Sequence, residues 1–169
     1  MLRIALVLSL VLALLAIVPL RDRFWSHQSP TPFDAQVVAV LDGDTVIVRM
    51  PKGGEERVRV IGVDTPEISH DGKPRQCYSL RATSFVRRVA LRRHVELTPG
   101  RELRDRYGRL LAYVRVAGSR TDLEEQLLRG GFGRTLEIAP NIDRAIHYRA
   151  VEQAAQAAGT GLWGACAAA

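Results

Sequence analysis

Short β-rich segments, each bounded by turn-forming residues, most constrain the fold of this chain. The segments Ala35–Leu41 and Thr45–Met50 are separated by the sequence Asp-Gly-Asp, and an Asp-Gly pair in this position strongly favours a β-hairpin. The predicted strands are Ala35–Leu41, Thr45–Met50, Glu56–Val63, Val95–Leu97 and Leu110–Val116. Five short strands in an antiparallel, meander-like order predict a small β-barrel.

Helical periodicity follows the first three strands. The predicted helices are Ser79–Arg93, Asp122–Arg129 and Ile142–Ala158. The second stops at Gly130-Gly131, which is typical of a helix C-terminus. An α+β fold is therefore expected: a partly open five-stranded OB-fold barrel with three helices, an architecture that often binds nucleic acids. Fold alone does not establish function.

The first 20 residues have the character of a targeting segment. Ile4–Leu20 is apolar except for Ser9 and follows Arg3, which fits either an uncleaved signal anchor or a cleaved signal peptide. No small-residue cleavage site precedes Arg21, so the anchor is favoured over the signal peptide and over a buried core helix. Residues 21–33 are predicted to be a linker and residues 34–169 a single folded domain.

Charge and cysteine content add two expectations. Lys and Arg number 24 against 18 Asp and Glu, a net charge of +6 that suits a polyanionic partner without requiring one. Cys77 and Cys166 are the only cysteines; in an exported chain they are most simply one disulfide, with two buried thiols as the alternative. The four histidines show no metal-ligand spacing.

Three short motifs, at residues 42–45, 64–67 and 105–109, each read alone as a turn. Together they indicate chemistry, because Asp44 and Asp64 stand at the ends of two predicted strands that a barrel brings to one rim. Carboxylate and carbonyl oxygens are the ligands that Ca²⁺ prefers.

Further side chains complete this hypothesis. Glu67 is suited to hold a water as a general base. Arg59 and Arg109 are suited to fork to phosphate oxygens, and this set of groups predicts phosphodiester hydrolysis. Strict alternation puts Arg59 and Asp64 on opposite faces, so the strand is predicted to end or bulge near Gly62.

The chain resembles the staphylococcal (micrococcal, thermonuclease) nuclease family. The resemblance rests on VVAVLDGDTVIV, VRVIGVDTPE, DRYGRLLAYV and LLRGG, in this order, and covers about Ala35–Gly164. It implies an OB barrel with three helices, and Ca²⁺-dependent hydrolysis of single- and double-stranded DNA and RNA that leaves 3′-phosphate ends. A monomer is expected.

The same resemblance assigns roles by motif position. The assigned groups are Asp44, Asp64 and the Thr65 carbonyl as Ca²⁺ ligands, Glu67 as activator of the attacking water, Arg59 and Arg109 as transition-state stabilisers, and Tyr107 as a phosphate contact. Two departures stand out. The segment Thr135–Ala139 lacks the tyrosines that the family has near its base pocket, and Arg81 stands where the family has an acidic residue.

Two other classes compete with a nuclease. A non-catalytic nucleic-acid-binding OB-fold module fits the missing tyrosines, although a pure binder of polyanions gains nothing from acids at its rim. A structural or protein-interaction role for a tethered barrel is the third. Arg21 and Arg23, counted by the positive-inside rule, favour a cytoplasmic body. Calcium, a disulfide and a non-specific nuclease all favour an extracytoplasmic location, which is the prediction adopted.

Overall fold

The structure, a computed structural model, describes residues 31–69, 72 and 74–166. Its strands are β1 (Phe33–Val40), β2 (Thr45–Arg49), β3 (Glu55–Val60), β4 (Val63–Asp64), β5 (His94–Arg104), β6 (Leu110–Val116) and β7 (Arg134–Thr135). Its helices are α1 (Ser79–Ala90), α2 (Leu123–Arg129), α3 (Ala145–Ala157) and α4 (Leu162–Ala165). The five predicted barrel strands and three predicted helices are all present, and the α+β barrel fold is confirmed.

The barrel is closed, and not partly open as predicted, in the order β1-β2-β3-β6-β5, because β1 pairs antiparallel with both β2 and β5. The meander-like order predicted from the sequence is wrong at one joint, because β3 and β6 are parallel neighbours. Parallel strands need a long connection, and the segment that holds β4, α1 and β5 supplies it. β4 and β7 form a separate two-stranded sheet.

β5 is the strand most different from its prediction. It extends from His94 to Arg104, whereas the sequence favoured only Val95–Leu97. Pro99 and Gly100 read as strand breakers, yet Pro99 pairs with Ala112 and the register shifts between Pro99 and Arg104. An irregularity of this kind accommodates a proline without a regular ladder.

The helix ends follow local backbone geometry. α1 ends at Ala90 and not at Arg93, because Leu91 is extended and Arg92 has a φ of 63°. α2 begins after Asp122, whose side chain caps it by accepting the Glu125 N–H. α3 begins at Ala145, three residues later than predicted, and α4 is an additional short helix.

Branched and aliphatic side chains of the strands fill the barrel. The fully buried ones include Val37, Val46, Val48, Val58, Val60, Leu97 and Val114. α1 packs on this core with Val86 and Ala90 and leaves its arginines outside. Burial of an aliphatic side chain contributes roughly 1.5–3 kcal/mol, so these strands hold the loops that carry the polar motifs in place.

Two links fasten the helical part. Cys77, just before α1, and Cys166, just after α4, are joined by a disulfide with a Cα–Cα distance of 6.0 Å. Asp122 Oδ2 accepts hydrogen bonds from Arg144 Nη1 at 2.6 Å and Tyr148 Oη at 2.8 Å. The cap of α2 is thereby tied to α3.

The predicted targeting segment, residues 1–20, lies outside the described residues, as does nearly all of the predicted linker. β1 begins at Phe33, the last residue assigned to that linker. Among residues 31–69, 72 and 74–166, no helix has the length and apolar character needed to cross a bilayer.

Candidate active site

The turn between β1 and β2 presents Asp44 to the interior of the site. Asp42 Oδ1 accepts the Asp44 N–H at 3.0 Å, which fixes the tight turn that the Asp-Gly sequence predicted. A Cβ on Gly43 would lie 2.6 Å from Thr65 Oγ1, so only glycine lets this turn approach the neighbouring segment. Asp44 is 3% exposed.

The end of β3 brings Asp64 towards the same place. β3 stops at Val60, and Gly62 has a φ of 85° before β4 begins at Val63. This break near Gly62, required to bring Arg59 and Asp64 together, is present in the structure. A Cβ on Gly62 would also lie 2.6 Å from Tyr148 Cε2.

Arg59 occupies the centre of the arrangement. Its Nε lies 3.3 Å from Asp44 Oδ1, and its Nη2 lies 3.1 Å from Asp64 Oδ1. Its Nη1 donates to the carbonyl oxygens of Val60 and Val63, the latter at 2.8 Å. The residue is 9% exposed, so the guanidinium is held in one orientation by four oxygen atoms.

Thr65 donates two hydrogen bonds to the Asp44 carboxylate. Its backbone N–H and its Oγ1 both donate to Asp44 Oδ2, at 2.8 Å and 3.0 Å. Asp44 Oδ1 also accepts from Thr45 Oγ1 at 3.2 Å. Both Asp44 oxygens are therefore hydrogen-bonded, which satisfies a buried carboxylate.

The acids here perturb one another. Burial and the neighbouring carboxylates of Asp44 and Glu67 raise the pKa of Asp42 to about 6. Burial and Asp44 also raise the pKa of Asp64, against the lowering effect of Arg59. These acids therefore carry mutual repulsion that Arg59 relieves only in part.

Glu67 lies on the exposed loop after β4, and Gln76 holds its backbone. The Glu67 N–H donates to Gln76 Oε1 at 2.7 Å, and the Gln76 N–H donates to the Glu67 carbonyl at 3.0 Å. Because Cys77 directly follows Gln76, the disulfide anchors the end of this loop that holds the Glu67 backbone.

The third motif forms the turn between β5 and β6. Asp105 accepts the N–H groups of Tyr107 and Arg109 on Oδ1, at 2.9 Å and 3.0 Å, and Arg109 Nε on Oδ2 at 2.6 Å. Burial alone raises the pKa of Asp105, but these hydrogen bonds outweigh it and lower the pKa overall. Arg109 is thus fixed through Nε, and its guanidinium lies 5.4 Å from the centre of the Tyr107 ring. Neither Nη atom has a hydrogen-bond partner among the described residues.

A cleft of about 500 Å³ is lined in part by Arg59, the residue that contacts Asp44 and Asp64. Arg59 and Arg109 both line it, so the structure brings the two predicted arginines to one opening. Tyr107, 66% exposed, stands at this cleft and accepts a hydrogen bond from Arg106 Nη2 at 2.6 Å. Leu136 and Ile138, from the segment without tyrosines, supply an apolar wall.

The acidic side chains of the site supply part of the ligand set that a metal ion needs. In the part of the chain that the structure describes, no group of three or more His, Cys, Asp and Glu side chains is arranged to hold one. Asp44 and Asp64 nevertheless converge on one guanidinium, within 3.3 Å and 3.1 Å. Two repelling carboxylates beside backbone carbonyls are a donor set that suits a hard cation such as Ca²⁺, which also accepts water ligands.

Three residues of this site were not assigned from the sequence. Asp42 and Asp105 each belonged to a recognised motif, and an acid that opens a turn is a signal for the backbone hydrogen bonds they accept. Gln76 gave no such signal, because its partner is nine residues away in a loop without periodicity.

Comparison with known proteins gives concordant matches. The profile of the family described as "Staphylococcal nuclease homologue" matches residues 57–165. A thermonuclease of Staphylococcus intermedius is 35% identical over 127 residues, covering 75% of this chain and 74% of that protein. A thermonuclease of Staphylococcus hyicus is 34% identical over 76% of this chain and 74% of its own length. A probable endonuclease LCL3 of Paracoccidioides lutzii is 33% identical over 63% of this chain but only 33% of its own length.

Proposed function

Because this chain belongs to the staphylococcal nuclease family, we propose that it is a Ca²⁺-dependent nuclease that hydrolyses DNA and RNA and leaves 3′-phosphate ends. One observation supports the assignment of the site above all. Arg59 contacts both Asp44 and Asp64, and it lines the same cleft as Arg109. A phosphate bound between these arginines lies beside both acids.

Asp44, Asp64 and the Thr65 carbonyl are the proposed ligands of Ca²⁺. Their oxygen chemistry and the raised pKa of Asp64 fit a cation that relieves the repulsion between the two carboxylates. When bound, Ca²⁺ polarises a phosphate oxygen and neutralises negative charge at the reacting centre.

Glu67 is proposed to orient the attacking water and accept its proton. The water oxygen forms a bond to phosphorus, and the bond from phosphorus to the 5′ oxygen breaks. The 5′ oxygen takes up a proton from solvent water and leaves as a hydroxyl, and the phosphate stays on the 3′ oxygen. The two hydrogen bonds between Glu67 and Gln76 hold this carboxylate on a defined loop. A fixed base contributes through position as well as through proton affinity.

The two arginines are proposed to stabilise the charge that accumulates on the phosphate oxygens. Arg109 has both Nη atoms available, since Asp105 binds only its Nε and backbone N–H. Arg59 is already oriented by Asp44 and by carbonyl oxygens, so it presents a preorganised donor. Tyr107 is proposed to contact a phosphate of the nucleotide in the cleft.

A direct test uses the purified full-length chain with single-stranded DNA and RNA oligonucleotides in Ca²⁺ and in EGTA. Hydrolysis in Ca²⁺ only, with 3′-phosphate products, is expected. Glu67→Gln and Arg109→Ala should each abolish most of it. Glu55→Gln and Arg115→Ala are matched controls, since their exposed ion pairs with Arg49 and Glu96 lie outside the cleft.

The outcomes separate the competing classes. Cleavage that is equal in EGTA would overturn the calcium dependence, and full activity of Glu67→Gln would overturn the role of Glu67. Salt-sensitive nucleic-acid binding without hydrolysis under any divalent metal would instead identify a binding module.

Location and assembly are separate proposals. We propose that residues 1–20 anchor the chain or direct its export, and that the folded domain acts outside the cytosol as a monomer, where a disulfide such as Cys77–Cys166 persists. Cell fractionation with protease accessibility tests the location. Light scattering of the purified protein tests the monomer.

A further inference from the structure

The outer side of α1 and its flanks carries a concentration of unpaired positive charge. From residue 72 to residue 95 the sequence contains no Asp or Glu. We call the exposed arginines of this region the α1 arginine strip; its members are Arg75, Arg81, Arg87, Arg88, Arg92 and Arg93. Within the described residues, none of them forms an ion pair.

Exposed arginines elsewhere in the protein are mostly paired with acids. Most exposed arginines elsewhere contact a carboxylate, and the pairs are Arg49–Glu55, Arg101–Asp143, Arg104–Glu56, Arg115–Glu96, Arg129–Glu125 and Arg149–Glu137. Arg87 and Arg88 lie in the last turn of α1, where the helix dipole favours cations. That effect acts within one turn and does not explain Arg75, Arg81 or Arg92.

The strip begins beside the candidate active site. Arg75 precedes Gln76, which hydrogen-bonds to Glu67, and Arg81 lies in the first turn of α1 shortly after. Arg81 and Arg88 are seven residues apart, so they share one face of the helix at a separation of about 10 Å along its axis. The strip therefore leads from the Glu67 loop towards the far end of α1.

The substrate strand extends in two directions from the phosphate that is cleaved. On one side lies the cleft, lined by Tyr107, Leu136 and Ile138, which is the proposed place of a nucleotide. Asp64 and Glu67 do not line that cleft and both are exposed, so a strand that leaves the cleft across β4 and the loop after it passes these acids. Repulsion between these carboxylates and the phosphates of the strand disfavours this path unless positive charge lies further along it. The α1 arginine strip supplies that charge, because it starts at Arg75, next to Gln76.

We propose that the α1 arginine strip binds phosphates of the substrate strand on the side of the scissile bond that does not enter the cleft. This inference depends on the proposed nuclease function and extends it, because it makes long single strands the preferred substrate. A cationic surface that follows the backbone is the usual means of binding single strands without sequence preference.

The test compares two double variants of the full-length chain. Arg81→Gln with Arg88→Gln removes two charges from the strip. Lys52→Gln with Arg120→Gln is the matched control, because both residues are exposed and unpaired in the described structure but lie in the β2–β3 turn and before α2. Melting temperatures verify that both proteins fold.

Hydrolysis of thymidine oligonucleotides of two and of twenty nucleotides is measured over a series of NaCl concentrations. For the strip variant, KM for the 20-mer should rise about tenfold, while kcat and the dinucleotide kinetics stay unchanged. The slope of log KM against log salt should become shallower by about 1.4, since each lost phosphate contact on a single strand is worth roughly 0.7. Equal KM values for the two double variants would overturn the proposal.

Two further measurements test phosphate binding by the strip separately from the proposed nuclease activity. Fluorescence anisotropy of the labelled 20-mer in EGTA reports binding by the strip even if the wild-type chain hydrolyses nothing, a result that would overturn the nuclease function alone. Cosedimentation with phosphatidylglycerol and phosphatidylcholine vesicles tests a lipid surface as the partner. Loss of the preference for phosphatidylglycerol in the strip variant, with 20-mer binding unchanged, would show that the strip faces a membrane and not the substrate.

Discussion

Glu67 and Gln76 are joined by two hydrogen bonds of opposite direction, at 2.7 Å and 3.0 Å. They close the loop that carries the proposed base, and they lie one residue from the disulfide-bonded Cys77. Gln76 touches no atom that reacts, so its proposed part in catalysis is to position Glu67.

Gln76→Met keeps the length of the side chain and removes the acceptor for the Glu67 N–H. We expect kcat to fall about fivefold, because one hydrogen bond contributes about 1 kcal/mol, while KM is unchanged. Steady-state kinetics check this, and Gln36→Met is the matched control, since Gln36 contacts the Arg92 carbonyl elsewhere. A rise in KM without a change in kcat would contradict a positioning role.

Arg59→Lys retains the charge but not the geometry. A single ammonium group cannot reach Asp44, Asp64 and the Val63 carbonyl together, so buried carboxylate charge is left under-compensated. We expect a loss of roughly 3 kcal/mol in the free energy of unfolding and at least a hundredfold loss of turnover. Urea unfolding and oligonucleotide hydrolysis measure these. Arg115→Lys, at the exposed pair with Glu96, should change neither. A fully active Arg59→Lys variant would overturn the proposed role of Arg59.

The burial of Glu124 leads us to expect that the stability of the fold depends on pH. It is fully buried, its Oε1 accepts the Val114 N–H at 3.0 Å, and its Oε2 has no partner among the described residues. Burial, reinforced by the charge of Asp122, raises its pKa well above the usual value. The folded protein therefore holds a proton that the unfolded chain releases near pH 4.3.

The sign follows from this difference in proton binding. Stability associated with neutral Glu124 is fully present below about pH 4.3 and is lost as the pH rises towards the folded-state pKa. Glu124→Gln replaces the titrating carboxyl with a neutral amide. The free energy of unfolding of this variant minus that of the wild type should therefore increase from pH 4.5 to pH 7.5. Urea unfolding at both values measures the change, with Glu55→Gln as surface control. A difference that does not vary with pH would contradict a buried neutral acid.

The disulfide should contribute strongly to stability. It joins residues 89 positions apart, and the chain-entropy relation gives about 4–5 kcal/mol for a loop of that length. We expect dithiothreitol to lower the free energy of unfolding by up to this amount, because the unfolded chain regains freedom. The double variant Cys77→Ser/Cys166→Ser should match the reduced protein and be insensitive to the reagent.

The sequence predicted local features well and long-range pairing less well. Asp42–Thr45 gave the β-hairpin, and the parity of Arg59 and Asp64 required the break at Gly62, because turn chemistry and side-chain alternation are local properties. The parallel pairing of β3 with β6 depends on which strands meet when the barrel closes, and no local pattern encodes that.

The meeting of Asp44, Arg59 and Asp64 was predicted from the sequence and is present in the structure, while their chemical roles stay predictions. The hydrogen bonds between Gln76 and Glu67 were not predicted, because they join two irregular segments. Pro99 shows the same limit in the fold, since a residue that disfavours strands locally was overruled by pairing with Ala112.

The two hydrogen bonds from Thr65 to Asp44 join the β1–β2 turn to the segment after β4. The acidic rim is therefore complete only when the segment after β4 is docked against the β1–β2 turn. A cation that binds only this docked form must protect the Asp42–Gly43 turn from proteases in proportion to its saturation, by the linkage between binding and folding. Resistance to digestion thus becomes a measure of metal affinity that needs no substrate and no catalysis.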